Sequence, residues 1–171
     1  MGRSGESDGR RRATGTGGPP ALRPRFWERP LDALSGAEWE ALCDGCGKCC
    51  LLKLEDEDTG TVHYTDVACR LFDPETCRCG QYDLRKTLVP GCVVLSPETI
   101  DEAAGWMPAS CAYRLRHEGR PLPDWHPLIT GDPDSTHGTG HGLMQRTVPE
   151  WEVDEADLED HVIEMDGFEA R

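Results

Sequence analysis

The chain has 171 residues, of which 37% are hydrophobic and only 11 are Phe, Trp or Tyr. This length suffices for one domain with tails, but so few aromatic residues make a thin hydrophobic core for such a domain. No run of 18 apolar residues is present, which excludes a membrane-spanning helix. The net charge of −14 argues against tight binding of the folded part to nucleic acid.

The N-terminal segment differs in composition from the rest of the chain. Residues 1–30 contain seven arginines against three acids and are rich in glycine and proline. Such a segment cannot bury enough apolar surface to offset its conformational entropy, so we predict a disordered basic arm over 1–25. A binding arm for nucleic acid or acidic partners is one interpretation. We favour a solvated tail, because composition alone is a weak signal.

A short helix is predicted immediately before the cysteine-rich part of the chain. Ser35 and Glu38 have the spacing of a capping box, in which each side chain accepts a hydrogen bond from the other residue's backbone N–H. This pattern predicts a helix over 36–42 that delivers Cys43 at its end. The glycines that follow predict tight turns, since glycine adopts the positive φ that such turns need.

A hairpin is predicted next. The residues at 51–54 and 61–64 predict two strands joined through the acidic turn 55–60. This turn begins like a calcium-binding loop but lacks the later oxygen ligands, so a plain hairpin turn is the better interpretation. Thr65 predicts the start of a short helix through 69–72.

The second half of the chain predicts helices and one long loop. The sequence Ser-Pro-Glu at 96–98 is typical of a helix start. A further helix is predicted over 108–118, ended by Gly119, and an extended loop rich in proline and glycine over 120–142. Together these elements predict a small α+β fold of short helices and hairpins, stabilised by metal.

The C-terminal segment 149–171 contains ten acids and one arginine. Within it, Trp151, Leu158 and Val162 have a spacing that suits one apolar helical stripe. We therefore predict an acidic helix docked on the domain, followed by a tail. The predicted parts are thus the basic arm, a cysteine-cluster domain over 26–148, and this acidic C-terminal helix and tail.

All nine cysteines lie in the middle part, and four fall in the run Cys43-Asp44-Gly45-Cys46-Gly47-Lys48-Cys49-Cys50. Two cysteines separated by two residues can reach one ion, because the turn between them brings both sulfurs to the same side. A glycine after the second cysteine lets backbone N–H groups point at sulfur. A third cysteine at the same spacing is typical of iron–sulfur proteins. Separate downstream elements contribute Cys69, Cys77, Cys79, Cys92 and Cys111.

Metal binding explains these cysteines better than disulfide bonds do. Their number is odd, we see no secretion signal, and their close spacing is typical of metal sites. Eight thiolates would complete two four-sulfur sites and leave one cysteine over. Neighbouring side chains diverge, so we expect Cys49 and Cys50 to serve two adjacent sites or to bridge two ions. The predicted ligands are Cys43, Cys46, Cys49, Cys50, Cys69, Cys77, Cys79 and Cys92. Cys111 is either an additional ligand or a buried apolar residue.

The choice between zinc and an iron–sulfur cluster stays open at this point. Two closed zinc sites would stabilise a small domain with a thin core. An iron–sulfur cluster would use the three-cysteine run and a remote fourth ligand, from Cys69, Cys79 or Cys92. Nine clustered thiols exceed what structural zinc needs, which tilts the expectation slightly toward iron–sulfur.

No catalytic constellation is recognisable outside the cysteines. His137 and His141 have the spacing of a helical metal pair, but the glycines around them predict a loop. His126 lies in a rigid turn and is expected to be structural, and His63 is expected to face solvent. A thiol catalyst would need a cysteine outside the metal sites with a lowered pKa, and Cys111 at a predicted helix N-terminus is the candidate.

The cysteine pattern resembles a known family. The run from Cys43 to Cys50, with the downstream cysteines to Cys92, resembles the CxxCxxCC cysteine-cluster proteins of bacteria, which are described as zinc- or iron-chelating. Over about 27–165 the chain resembles their YcgN-type subgroup. The segments that carry this resemblance are 38–50, 56–59, 67–70, 111–115 and 122–128. The family has no established activity, so the resemblance implies a metal and not a reaction, and the long arm departs from the subgroup's shorter starts.

Three classes of function remain. The first is a metal-binding accessory protein whose acidic surface serves a protein partner. The second is an iron–sulfur component for redox or for protein modification, and the third is a zinc adaptor that binds nucleic acid through its arm. We expect the first, with the second as the alternative and no membrane partner. The expected compartment is the cytoplasm, because thiolates must stay reduced to bind metal.

Overall fold

The computed structural model describes residues 21–164, and within them the helices are short. The α-helices are α1 Gly36–Ala41, α2 Arg85–Leu88, α3 Ile100–Ala103, α4 Ala112–His117, α5 Pro127–Thr130 and α6 Ser135–Gly138. The 3-10 helices are Phe26–Glu28, Leu31–Ala33, Lys48–Cys50, Tyr82–Leu84, Ala104–Trp106, Glu150–Glu152 and Glu155–His161. The strands are β1 Leu51–Glu55, β2 Val62–Ala68, β3 Phe72–Asp73, β4 Arg78–Cys79, β5 Val148–Pro149 and β6 Val162–Ile163. This mixture of short helices and mainly antiparallel strands confirms the predicted α+β class. None of the helices in the described range is long and apolar enough to cross a membrane.

Helix α1 begins where the capping box predicts. The Ser35 hydroxyl accepts a hydrogen bond from the backbone N–H of Glu38 at 3.3 Å, and the Glu38 carboxylate accepts one from the backbone N–H of Ser35 at 2.9 Å. Two N–H groups that the helix itself leaves unpaired are thereby satisfied. The helix ends at Ala41, one residue before the predicted end, and Cys43 follows immediately after its last turn.

The larger of two core clusters packs α1 against α3 and α4. Its buried members are Phe26, Trp39, Leu42, Ile100, Ala103, Met107 and Tyr113. The Trp39 indole N–H donates to the carbonyl of Leu95 at 3.2 Å, and the Tyr113 hydroxyl donates to the carbonyl of Trp39 at 2.9 Å. Both aromatic side chains are therefore buried with their polar N–H and O–H groups hydrogen-bonded. It holds the end of α1, and with it the start of the cysteine run, against α4.

Strands β1 and β2 form the predicted antiparallel hairpin. The Asp56 carboxylate accepts from the backbone N–H groups of Asp58 and Thr59 at 3.1 and 2.7 Å, so it stabilises the turn, as the plain-turn interpretation requires. Beyond its pairing with β1, β2 pairs in parallel with β5 and antiparallel with β6. The second core cluster joins this sheet to the β3–β4 ribbon through Leu51, Tyr64, Ala68, Phe72, Cys77 and Leu143.

Two predictions for the middle of the chain are wrong. Strand β2 continues to Ala68, so Thr65 starts no helix; it is buried in the sheet, and its hydroxyl donates to the carbonyl of Leu52 at 2.9 Å. The predicted loop 120–142 contains α5 and α6. Helix α5 begins there because His126 caps it with a side-chain acceptor and a proline occupies its first turn.

The C-terminal segment does not form the predicted α-helix with one apolar stripe. The residues before Val162 form a 3-10 helix, and Val162 itself belongs to β6, which pairs with β2. A strand residue cannot continue a helical stripe, since its side-chain directions follow a different period. Trp151 is 67% exposed and is not docked on the domain. Residues 165–171, the predicted tail, lie outside the described residues.

The end of the predicted arm contacts α1. The Arg23 guanidinium forms an ion pair with Glu38, and its backbone N–H donates to the same carboxylate at 3.1 Å. Glu38 is 1% exposed, so this pairing supplies the partner that a buried charge requires. The Arg23 hydrogen bond holds the pKa of Glu38 well below its usual range. The prediction of disorder is therefore wrong at Arg23. Residues 1–20, the rest of the predicted arm up to that point, lie outside the described range.

We expect Arg23→Ala to lower the free energy of unfolding at pH 7 and to reduce its dependence on acid pH. The folded-state pKa of Glu38 is lowered, so its ion pair stabilises the fold above the unfolded value of about 4.3 and is lost as pH falls through the folded value. Urea denaturation at pH 7 and in a series toward pH 3 measures both effects. Arg25→Ala is the matched control, since Arg25 pairs with Glu28 at the surface. Equal losses in the two variants would contradict the role of Arg23.

Candidate metal centre

The cysteine run folds as a tight loop at the end of α1. The backbone N–H of Cys43 donates to the carbonyl of Glu40 at 3.3 Å, which ties the first cysteine to the helix. The Asp44 carboxylate accepts from the N–H of Cys46 at 3.1 Å, and the carbonyl of Cys46 accepts from the N–H of Leu143 at 3.0 Å. Asp44 and Cys46 are both buried. The loop is thus stabilised by one hydrogen bond within it and by one from Leu143, which is distant in sequence.

Gly47 lies where no side chain would fit. Its φ is +83°, and a Cβ placed on it would lie 2.8 Å from two ring carbons of Phe72. Phe72 belongs to β3, so the close approach brings the β3–β4 ribbon directly against the cysteine loop. Cys79 lies opposite Phe72 in that ribbon. The glycine after Cys46 therefore does more than permit a turn, because it also admits a second cysteine-bearing element.

The first thiol group consists of Cys43, Cys46, Cys49 and Cys111. Burial raises the pKa of Cys46, and the charges of Asp44 and of the other three thiols in the group raise it further. Burial also raises the pKa of Cys111, with the same carboxylate and the thiols of Cys49 and Cys43 adding to the rise. Each of these two thiols is thus affected by the charges of the other thiols of the group. Cys111, the additional candidate from the sequence, thus lies beside the run.

The second thiol group consists of Cys50, Cys69, Cys79 and Cys92. The backbone N–H of Cys69 donates to the carbonyl of Cys50 at 2.9 Å, and the N–H of Phe72 donates to the carbonyl of Cys69 at 2.8 Å. Cys69 and Cys79 are among the groups that raise the pKa of Cys50. Burial raises the pKa of Cys69, and the thiols of Cys92 and Cys79 contribute. Backbone pairing therefore brings Cys69 next to Cys50 and Cys79 next to Phe72.

The two groups meet at Cys49 and Cys50. The thiol of Cys50 hydrogen-bonds to the sulfur of Cys49, which lowers the pKa of Cys49 to about 7 and raises that of Cys50. Lys53 adds to the lowering at Cys49, and its ammonium group also donates to the carbonyl of Cys49 at 3.0 Å.

Cys77 is surrounded differently from the other cysteines. It is buried with Phe72 and Leu143 in the second core cluster. Burial raises its pKa, and the charges that modify it further are those of Asp73 and Arg78, with no other thiol among them. Cys77 also has a φ of +52°, a left-handed conformation at the turn between β3 and β4.

The thiols are chemically suited to zinc or iron. All nine cysteines are free thiols, and sulfur ligands select zinc and iron–sulfur clusters over hard cations. Within residues 21–164, no three or more His, Cys, Asp or Glu side chains are arranged to hold a metal ion. The thiols with raised pKa carry protons at neutral pH, so metal binding has to displace protons and draw the sulfurs together.

Comparisons with known proteins point to the same two metals. Residues 42–112, which include all nine cysteines, match the CxxCxxCC family described as "Putative zinc- or iron-chelating domain". A UPF0260 protein of Rhodobacter capsulatus is 58% identical over 143 residues, which cover 84% of this chain and 96% of the relative. The chain belongs to the UPF0260 family. UPF0260 proteins of Rhizorhabdus wittichii and Cellvibrio japonicus are 55% and 54% identical, each over 81% of this chain and 94% of the relative. No solved structure matches.

The histidines of this UPF0260 family member lie outside the thiol groups. His126 is fully buried; its Nδ1 accepts from the N–H of Leu128 and its Nε2 bonds to the carbonyl of Leu42, both at 3.1 Å. His141 stacks on the ring of Trp125 with centroids 4.1 Å apart, whereas His137 lies in α6. The helical histidine pair is thus not formed, and His126 supports the residue that precedes Cys43.

Burial disfavours Cys111, the thiol catalyst candidate from the sequence. Cys111 is the N-cap residue of α4, but burial raises its pKa, whereas a nucleophilic thiol needs a lowered one. Lys53 was not predicted as part of the site; its ammonium group lies 5.0 Å from the ring centroids of both Tyr64 and Trp106 and beside Cys49. The available signal was its place inside an otherwise apolar strand, where a lysine needs a partner.

Proposed function

We propose that this chain is an accessory protein that binds zinc or iron through cysteine thiolates and acts by contacting a protein partner. The observation that supports this most is the run of four thiols in the cysteine loop, with Cys69 bonded to Cys50, Cys79 in the ribbon that contacts the loop, and Cys111 packed against the core at the end of α1. The two core clusters of this chain are small. A metal bound to these thiols would link the elements around the clusters and so would stabilise the fold.

The partner surface that we propose is the acidic C-terminal segment. Over 150–164 this segment is mostly exposed, and it carries Trp151, the most exposed large hydrophobic side chain within residues 21–164. An exposed tryptophan among carboxylates suits a protein partner with a basic surface and an apolar pocket. The proposed compartment is the cytoplasm, where thiols stay reduced.

The alternative is an iron–sulfur component for redox chemistry or for modification of a partner protein. The contact between Cys49 and Cys50, which joins the two thiol groups, favours this alternative, and so does the number of thiols. A cluster held there would supply electron transfer. The chain would contribute thiolate ligands, and Lys53 would contribute a positive charge beside Cys49.

The test is elemental analysis and a visible absorption spectrum of the full chain purified without oxygen. Bound zinc in a colourless protein supports the accessory role. Brown protein with iron and acid-labile sulfide supports the alternative, because thiolate-bound iron absorbs visible light. A reduced, folded protein that contains no metal and takes up neither Zn²⁺ nor iron would overturn the proposed function.

A further inference from the structure

A second exposed surface lies in the middle of the chain, apart from the acidic C-terminal segment. Within residues 21–164, ten large hydrophobic side chains are exposed, and five of them fall in 82–94, which we call the apolar segment. No residue of this segment is buried, and none belongs to either core cluster. Exposed apolar side chains gathered in this way mark an interaction surface. The five are Tyr82, Leu84, Leu88, Val93 and Val94.

Hydrogen bonds fix the apolar segment at both ends. The Tyr82 hydroxyl donates to the carboxylate of Glu40 in α1 at 2.6 Å, and the carbonyl of Val94 accepts from the Thr99 hydroxyl at 3.1 Å. Between these ends, the Lys86 ammonium group donates to two backbone carbonyls of the turn that follows α2. The apolar side chains are therefore held in place before any partner binds, which lowers the entropy cost of binding.

The apolar segment carries more positive than negative charge, unlike the chain as a whole. It contains Arg85 and Lys86 against one acid, Asp83, whereas the net charge of the chain is −14. Both cations donate to backbone carbonyls, and the Arg85 guanidinium also lies over the Tyr82 ring, 3.6 Å from its centroid. A partner with negative charge and a large apolar side chain therefore complements this segment.

The acidic C-terminal segment of this same chain has that chemistry. Over 150–164 it contains eight acids and no lysine or arginine, and it exposes Trp151 and Val162. Among those eight acids, Glu150 is the one that forms an ion pair within residues 21–164, with Arg70. The other carboxylates and the exposed indole are thus available to a second molecule.

We propose that this chain pairs with a second copy of itself, in which the acidic C-terminal segment of one copy packs on the apolar segment of the other. Trp151 then lies against Leu84 and Leu88, which are four residues apart at the two ends of α2. The contact buries the exposed indole and brings carboxylates near Arg85 and Lys86. Each chain has both segments, so two copies complement each other twice and close a dimer. This inference rests on the proposed function, because it names the protein partner of the same acidic surface.

The test is sedimentation velocity of the full chain at a series of micromolar concentrations, with a reducing agent that excludes disulfide-linked dimers. The parent is expected to dimerise. Trp151→Ala and the double variant Leu84→Ser/Leu88→Ser should each raise the dissociation constant about tenfold or more. Ile129→Ser is the matched control, since it changes an exposed apolar side chain outside both segments and should dimerise like the parent. All of these side chains are exposed, so each variant should unfold at the same denaturant concentration as the parent.

Mixing the two interface variants tests whether the two segments touch. Native mass spectrometry resolves them by mass, and an equimolar mixture should contain more mixed dimers than random exchange gives. One contact of a mixed dimer is intact, and losing both sides of the other contact costs less than the two losses taken separately. A monomeric parent, a dimer that neither variant weakens, or mixed dimers at the random proportion would overturn the inference. A parent that dimerises in this way but binds neither zinc nor iron would support the inference and refute the proposed metal-binding function.

Discussion

Gly47→Ala is expected to lower the free energy of unfolding by about 2–5 kcal/mol. Two costs add at this position. The φ of +83° lies in the left-handed region that a Cβ disfavours, and the new methyl group would lie 2.8 Å from ring carbons of Phe72. Phe72 is 8% exposed in the second core cluster, so its ring cannot move aside without disturbing that cluster. Chemical denaturation of the reduced protein measures the loss.

Gly45→Ala is the matched control for this prediction. Its φ of +71° imposes a similar backbone cost, but the nearest atom to its added Cβ is 3.5 Å away in the flexible side chain of Arg78. Gly45→Ala should therefore show only the backbone part, about 1–2 kcal/mol. In a Phe72→Leu background, the penalty of Gly47→Ala should fall toward the same value, because the smaller side chain relieves the contact. Equal effects of Gly45→Ala and Gly47→Ala would contradict the steric argument.

His126→Ala is expected to cost about 2–5 kcal/mol in unfolding free energy. The imidazole is fully buried, and it bonds the carbonyl of Leu42 and the N–H of Leu128 at 3.1 Å each. Removing it leaves a cavity and two unpaired backbone groups. His63→Ala is the control, since His63 lies on the exposed face of β2 and should change stability little. His126→Gln restores a donor toward Leu42 and should recover part of the loss.

The same histidine predicts a dependence on pH. Burial lowers the pKa of His126 below its usual value of about 6.5, so the folded state favours the neutral ring. Its contribution to stability is present above that value and is lost as pH falls through the folded-state pKa. The difference in stability between parent and His126→Gln should therefore shrink as pH falls from 7 toward 5. A difference that grows over this range would contradict a buried neutral imidazole.

The metal content of a His126 variant distinguishes a structural role of this residue from a role as a metal ligand. No thiol bonds to this ring, and its Nε2 is engaged by the carbonyl of Leu42. Folded His126→Ala is therefore expected to bind as much metal per chain as the parent. A lower content would identify His126 as a ligand.

Local elements could be predicted where neighbouring residues decide them. Ser35 and Glu38 satisfy each other's N–H groups within one turn, so the start of α1 follows from four consecutive residues. The hairpin turn likewise depends on Asp56 and the residues directly after it. The wrong predictions concern segments whose conformation depends on residues distant in sequence. Thr65 has a capping side chain, but the strands on both sides of β2 keep it in a sheet.

The sequence by itself determined that this chain has a thiol-rich loop whose donors suit zinc or iron, because four cysteines lie within eight residues. Only the tertiary structure decided which distant cysteines lie close to this run. Cys77 and Cys79 are two residues apart, yet Cys77 lies in the turn before β4 with a φ of +52° and packs into the apolar cluster, whereas Cys79 lies in β4 opposite Phe72. Cys111 reaches the run because aromatic packing holds α4 against α1, and spacing along the chain carries no record of that contact.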